Sequence, residues 1–529
     1  MADTSEPEPV DDSYRKQAHP AVRTALRVAL TAEEYEVLHR QLVRRTSKNV
    51  HSKALHPDDY RKIVTPRYEY GDAALRDSIR VFVASSLAVK LLEKIVRRLK
   101  KDSKLSFSSL RFASALSLAL LFQRSIRRFL VRLRANLRSD DARSFRERNP
   151  HVTQILTSRY TSAVGAGLAG LALGIVPEGA VRSYAALWLF VRAVEATYNA
   201  AEAKGLLFKE RPCWFGSCLL MPVSMAQLFH AFIFDRETAP GWFNSVLLKY
   251  APAYVQHKPD GLSSERQWPA PTEIVDSLAH LAKSNWPAFT SPILHPSHPQ
   301  PLPRGIEGMA PITSPAHPSI SSLSCALLHP KSTSCLNVAV QQNLLMIPQL
   351  GRTLLKIHLL LSLLKLKDLV RHPFKTTNGL CTDVASRTAL LSAVISTAWG
   401  SICLFNNYLP RRFLPTQRFY LSGALAGLPF AVLGQDYRGL FLYFFRIAVG
   451  SFWESGKKHK VFRAIKHGDL FIISASWAVL CVLLNGRPKT VSGASFRKLL
   501  TWCQGNGFVD PVVVSRERAK KRKENIEKK

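Results

Sequence analysis

Cys325, His329 and Cys335 stand in the pattern Cys-x3-His-x5-Cys and form the only compact Cys/His group in the chain. Thiolate sulfur and imidazole nitrogen are preferred zinc ligands; a structural site uses four of them, and a catalytic site uses three plus water. A fourth ligand is not adjacent in sequence and would have to come from His317 or Cys381 folding in. His295, His298 and His317 sit in a proline-rich stretch and read as solvated. With the group one ligand short, no metal and no cofactor are expected, and Cys325, His329 and Cys335 stand as candidates only. The sequence contains no P-loop, GxSxG, HExxH or dinucleotide-binding fingerprint, so no catalytic residue is assigned and an enzyme is not expected.

Several apolar segments contain an arginine, and the third of each half carries one at a matching place. Arg192 and Glu195 lie in VRSYAALWLFVRAVEATYNA, 181–200, and Arg446 lies in YRGLFLYFFRIAVGSFW, 437–453. Ionisable groups at membrane depth face a bundle interior or a wet cavity, where they line a polar path or pair structurally. At a spacing of three, Arg192 and Glu195 suit an ion pair on one helix face. His230, in another apolar run, reads as a packed histidine.

Small residues carry the third signal. The phrase YTSAVGAGLAGLALG at 160–174 returns as YLSGALAGLPFAVLG at 420–434. Gly170 and Gly174 are four apart, as are Gly423 and Gly427. That spacing puts each pair on one helix face, where a neighbouring helix can approach closely; in lipid such contact is a main source of association.

The elements that position these residues repeat in order. The amphipathic stretch LRDSIRVFVASSLAVKLLEKIVRRLKK, from about 76, is followed by apolar segments at 105–122, 160–176, 181–200 and 214–234. A second, 351–371, is followed by segments at 385–405, 418–434, 437–453 and 469–485. The second, third and fourth segments recur at offsets of about 257, 254 and 253, which predicts a duplication. The segments are near the ~20 helical residues that a bilayer core requires. The expected divisions are a polar N-terminal region at 1–75, a first membrane repeat at 76–254, a Pro/Ser/His-rich linker at 255–320, a second repeat with its Cys/His segment at 321–505, and a basic tail at 506–529.

The net charge of +35 admits nucleic acid, anionic lipid or basic loops between spans. Position favours the last: aromatic residues concentrate in the apolar runs, and basic clusters such as QRSIRRFLVRLR at 123–134 bound them. The acidic start MADTSEPEPVDD has the character of neither a signal peptide nor a mitochondrial presequence. The eight cysteines include no CxxC pair, and Cys403 and Cys481 fall in apolar runs, which is not a secreted disulfide framework.

GLAGLALG with RSYAALWLFVRAVEATYNAAEAKG, then CLLMPVSMAQLFHAFIFDRETAPGWFNSVLLKY, and CALLHPKSTSC ahead of a basic apolar region, resemble the transmembrane protein 135 family in a fungal-type form. The glycine-rich hairpins are similar, more distantly, to the mitochondrial inner-membrane translocase channel family. The resemblance covers most of 50–505 outside the linker. It implies an integral membrane protein of peroxisomes or mitochondria, linked to organelle dynamics and lipid homeostasis, and it carries over no catalytic residue. The chain has few cysteines in the segment that resembles the family's cysteine-rich region.

The expectation is therefore an all-α, polytopic integral membrane protein with two parallel repeats of about four transmembrane helices, each preceded by an amphipathic helix. Its expected role is non-enzymatic, in membrane organisation and lipid handling. The alternatives are a translocase-like channel or transporter, and a soluble basic helical nucleic-acid binder. The expected partners are the lipid bilayer and, through the polybasic tail, anionic head groups. Homo-oligomer formation is compatible with this reading, and no nucleic acid is expected.

Overall fold

The computed structural model describes residues 20–41, 55–64, 69–99, 109–158, 160–207, 215–258, 268–294, 296, 301–363, 370–434 and 437–527. The acidic N-terminus, residues 105–108 of the first apolar segment, residues 364–369 of the second amphipathic stretch, His295 and His298 lie outside the described residues. The chain is all-α: among the described residues the only β pairing is an isolated antiparallel bridge between Ala288 and Ser322.

Fifteen principal helices are numbered here. In the first part of the chain they are α1 (Glu69–Leu99), α2 (Ser109–Arg138), α3 (Thr161–Gly170), α4 (Ala180–Glu202), α5 (Leu220–Phe234), α6 (Gly241–Lys249) and α7 (Pro271–Lys283). Then follow α8 (Leu323–Leu328), α9 (Cys335–Ser362), α10 (Pro373–Tyr408), α11 (Arg418–Gly427), α12 (Arg438–Lys458), α13 (Gly468–Gly486), α14 (Ala494–Cys503) and α15 (Pro511–Glu527).

Four helical stretches are long and apolar enough to cross a membrane: Ser217–Phe234, Cys335–Ser362, Pro373–Tyr408 and Gly468–Gly486; a shorter apolar one is Ala163–Ile175. The second of these begins sixteen residues ahead of the expected amphipathic stretch at 351 (351 − 335 = 16). Its start is set by Ser334, whose side chain accepts from the Asn337 N–H as an N-cap. Helix α2 does not stop at the basic cluster after 122 but runs through it to Arg138. Arginine is a good helix former, so a change of polarity does not require a change of backbone. After α3 and after α11 the chain tightens into a five-residue 3-10 turn, Leu171–Ile175 and Leu428–Val432. At ordinary rises each helix with its turn extends about 25 Å, short of a ~30 Å hydrocarbon core.

Contacts group the chain into two compact units, Met1–Lys209 with Ile465–Lys529, and Glu210–Ala464. This grouping departs from the expected boundaries at 254 and 321. The first unit holds α1–α4 and takes α13 from the far end of the chain. Its core joins Ala186, Leu189, Ala193 and Ala196 of α4 to Ile473, Leu480 and Leu484 of α13. The second unit holds α5–α12. Its core sets Phe229 and Phe232 of α5 edge-on to Trp399 of α10, with ring centroids 6.5 and 6.0 Å apart.

The stretch 255–320 is corrected as well. Its described part is packed core of the second unit, not a linker. Ile274, Val275 and Leu278 of α7 are fully buried, and Trp286, Met309 and Ile312 are nearly so. Trp286 donates from its indole N–H to the Pro415 carbonyl at 3.0 Å. Proline interrupts periodicity here without preventing burial: Pro271 starts α7, and the Glu273 carboxylate accepts from the Ala270 N–H at 3.0 Å.

Candidate functional site

The glycine pairs lie at helix contacts, and in each case the partner is a fourth apolar segment. A Cβ on Gly170 would meet the Ser474 Cα of α13 at 2.9 Å, and one on Gly174 would meet a Leu470 methyl at 3.1 Å. A Cβ on Gly423 would meet the Met225 carbonyl oxygen of α5 at 2.3 Å, and one on Gly427 the Pro222 backbone at 2.5 Å. In the second unit the small face of α11 therefore admits the backbone of α5, as small-xxx-small faces do; in the first, Gly170 admits the Ser474 backbone, while Gly174, in the 3-10 turn behind α3, meets a side chain. The partner is the fourth segment of the opposite half of the sequence: α13 for α3, and α5 for α11. The same exchange recurs at charged groups in the first unit. Arg182, at the start of α4 and 3% exposed, is bidentate to Asp469 at the start of α13, with Nη2 donating to Oδ1 at 3.0 Å. Arg182 also donates to the Val176 carbonyl at 3.1 Å and lies 3.2 Å from Glu178.

Arg192 donates to Glu195 at 2.8 Å, and its guanidinium lies over the rings of Trp188 and Phe496 at 5.8 and 5.9 Å. Arg446 lies over the Tyr443 ring at 5.7 Å. His230 stacks on Tyr420 with centroids 3.9 Å apart and planes within 7°. At the C-terminal end of α5, Asp235 is buried and held by three groups of α12 or just beyond it. Lys458 Nζ lies at 2.8 Å, Ser455 Oγ donates at 2.6 Å, and His459 Nε2 lies at 3.0 Å. Burial alone would raise the Asp235 carboxyl; hydrogen bonds from Lys458, Ser455 and His459 outweigh it and hold the group down at about 2. Asp235 carried no sequence signal beyond being an acid at the end of an apolar run.

Cys325, His329 and Cys335 do come together, and Cys403 joins them. The three sulfurs and one imidazole nitrogen all lie within 4.8 Å of one another. Cys325 and Cys335 sulfurs are 4.0 Å apart, and His329 Nε2 is 3.5 Å from both Cys335 and Cys403 sulfurs. Neither sequence candidate for a fourth ligand takes part: the Cys381 side chain is exposed, and His317 Nδ1 accepts from the Ser319 N–H at 3.2 Å. Three elements bring the group together. Cys325 is on α8, His329 ends that helix, Cys335 opens α9, and Cys403 is on α10. Helices α9 and α10 are held in register by Asn343, whose carbonyl oxygen accepts from Ser392 at 2.5 Å and Ser396 at 2.9 Å.

No family model matches the chain, and no match is found among the curated proteins or the solved structures.

Proposed function

We propose that the chain is a polytopic integral membrane protein of two parallel repeats, each of four apolar segments preceded by an amphipathic helix. Its role in this reading is non-enzymatic: it organises a peroxisomal or mitochondrial membrane and takes part in lipid homeostasis.

The observation that carries the membrane reading is the exposure of two of the four helices that are long and apolar enough to cross a membrane. Only 11% of the apolar window of α9 and 28% of that of α13 are buried within the protein. Leu344 and Leu360 of α9 are 69% and 67% exposed, and Phe471 of α13 is 75% exposed. In water each such side chain would forgo about 25 cal/mol per Å2 of apolar surface. Lipid removes that penalty, so a bilayer is the partner these faces fit. The repeat reading is supported by the matched lengths of α3 and α11 and of the 3-10 turns behind them, together with the reciprocal use of the fourth segments. The organelle and the lipid role rest on the resemblance to the transmembrane protein 135 family.

A translocase-like channel is the second reading, favoured by one observation: Glu195, 3% exposed, lies with Arg192 in the interior of an apolar helix. The basic helix α15 fits anionic head groups in either reading.

The test is to image the full-length tagged chain against peroxisomal, mitochondrial and nuclear markers, and to extract membranes with alkaline carbonate and with salt. Rim signal in one of the two organelles and resistance to both extractions are expected. A nuclear or diffuse signal with release by salt would overturn the reading and favour the soluble nucleic-acid binder, whose affinity would be largely counterion release.

A further inference from the structure

We propose that Cys325, His329, Cys335 and Cys403 form a structural zinc site of three thiolates and one imidazole. The inference is independent of the membrane reading; it rests on the geometry of the four ligand atoms, their burial, the orientation of the imidazole and the elements they join.

Three of the six distances between ligand atoms match those of a mononuclear tetrahedron, and all six lie within 4.8 Å. With zinc–sulfur near 2.3 Å and zinc–nitrogen near 2.05 Å, tetrahedral angles place two sulfurs about 3.8 Å apart and a sulfur and nitrogen about 3.5 Å apart. The corresponding separations here are 4.0 Å for Cys325 to Cys335, and 3.5 Å from His329 Nε2 to each of Cys335 and Cys403. A regular tetrahedron with every edge at the outer limit of the group would have its centre ~2.9 Å from each vertex, so closing on zinc takes shifts of at most about 0.6 Å at a sulfur and about 0.9 Å at the nitrogen.

The imidazole is prepared for ligation. His329 Nδ1 is 2.9 Å from the Ser332 carbonyl, an acceptor, so the proton of the neutral ring sits on Nδ1. The lone pair of Nε2 then faces the Cys335 and Cys403 sulfurs. A backbone carbonyl that fixes tautomer and ring plane in this way is the usual outer partner of a zinc-bound histidine. Asn407 supports one sulfur, donating to Cys335 at 3.6 Å.

The ligand types exclude the hard cations. Magnesium and calcium take oxygen ligands, and the group offers none. Soft thiolates with one imidazole in tetrahedral array favour zinc. All four positions are filled by protein, and Cys325, His329 and Cys403 are buried. Such a closed site is structural rather than catalytic. Its effect would be to fasten α8 and the first turn of α9 to α10, across 78 residues of sequence (403 − 325 = 78). The fastening is at the end of the α9–α10 pair away from Pro373.

The test uses the full-length chain purified in detergent from cells grown in zinc-replete medium. Elemental analysis should give one zinc per chain, and zinc K-edge X-ray absorption should give a shell of three sulfurs and one nitrogen. Cys403→Ser and His329→Gln should lose the metal, while Cys381→Ser should keep it. Because either ligand variant could also unfold the protein, the wild-type chain carries a second measurement. Maleimide labelling mapped by mass spectrometry should leave Cys325, Cys335 and Cys403 protected until a zinc chelator is added, and zinc sulfate should restore the protection. A wild-type chain that binds no zinc after loading would overturn the proposal, as would a shell without sulfur or a Cys325–Cys335 disulfide in the native protein.

Discussion

Gly423 packs so closely on α5 that a single added carbon would lie 2.3 Å from the Met225 carbonyl oxygen and 2.7 Å from the Ala226 Cα. Both obstacles are backbone, so neither can turn aside as a side chain can. The contact joins a second apolar segment from the C-terminal half of the sequence to a fourth segment from the N-terminal half.

Gly423→Ala should therefore separate α11 from α5 and destabilise the second unit by about 1–3 kcal/mol, the usual range for overpacking. Gly174→Ala should cost much less, because its nearest neighbour is the end of the Leu470 side chain. Thermal unfolding of the detergent-solubilised variants measures both. Equal melting temperatures for the two would show that the close approach of α11 to α5 does not form.

The pairing of α3 with α13 can be captured covalently. A Cβ on Gly167 would lie 3.8 Å from the Ala478 Cβ, close to the mean separation of about 3.8 Å in disulfides. Gly167→Cys combined with Ala478→Cys should form a bond within one chain on mild oxidation, seen as a mobility shift reversed by reductant. A bond only between two chains would mean that α13 is supplied by a second copy.

Arg182 and Asp469 should behave as a unit. Arg182→Ala leaves a largely buried carboxylate without its bidentate partner, and a loss of about 3 kcal/mol is expected. Arg182→Lys should not restore the wild-type melting temperature, since an ammonium cannot reproduce the planar fork. The double variant with Asp469→Ala should cost less than the sum of the single ones. Strict additivity would show that the two side chains are not paired.

Asp235 sets an acid limit on stability. Its carboxyl has a folded pKa of about 2 against an ordinary 3.8. A depressed folded pKa contributes stability that is present above the ordinary value and is lost as pH falls through the folded one. The stabilisation should therefore be complete above about pH 4 and fade between about pH 4 and pH 2. Melting curves of the wild type and Asp235→Asn should differ at neutral pH and converge below pH 4. A gap that is constant across that window would remove Asp235 as its source.

Part of the candidate metal group could be read from the sequence. Cys325, His329 and Cys335 are close enough in the chain for their spacing to be informative. Cys403 is 68 residues beyond Cys335 in an apolar run (403 − 335 = 68), where a cysteine reads as a small hydrophobe. No local spacing connects it to the others; the connection is made when α10 packs along α9. The stretch 255–320 was misread for a related reason. Its prolines remove the periodicity by which a buried face is recognised, yet Trp286, Met309 and Ile312 are buried through irregular segments.

The sequence by itself determined the apolar helical segments at 214–234, 385–405 and 469–485, because side-chain periodicity and backbone propensity act over a few residues. It also placed Gly423 and Gly427 on one narrow face, because a spacing of four is a property of one helix; Gly170 ends α3 and Gly174 lies in the 3-10 turn behind it. Only the tertiary structure decided what these glycines meet. The close approach permitted by a missing Cβ is satisfied by any backbone that fits, and in each unit the one that fits is the fourth segment of the opposite half. The same holds for Cys403 beside His329: coordination geometry is set by distance in space, and that distance is fixed by helix packing rather than by position along the chain.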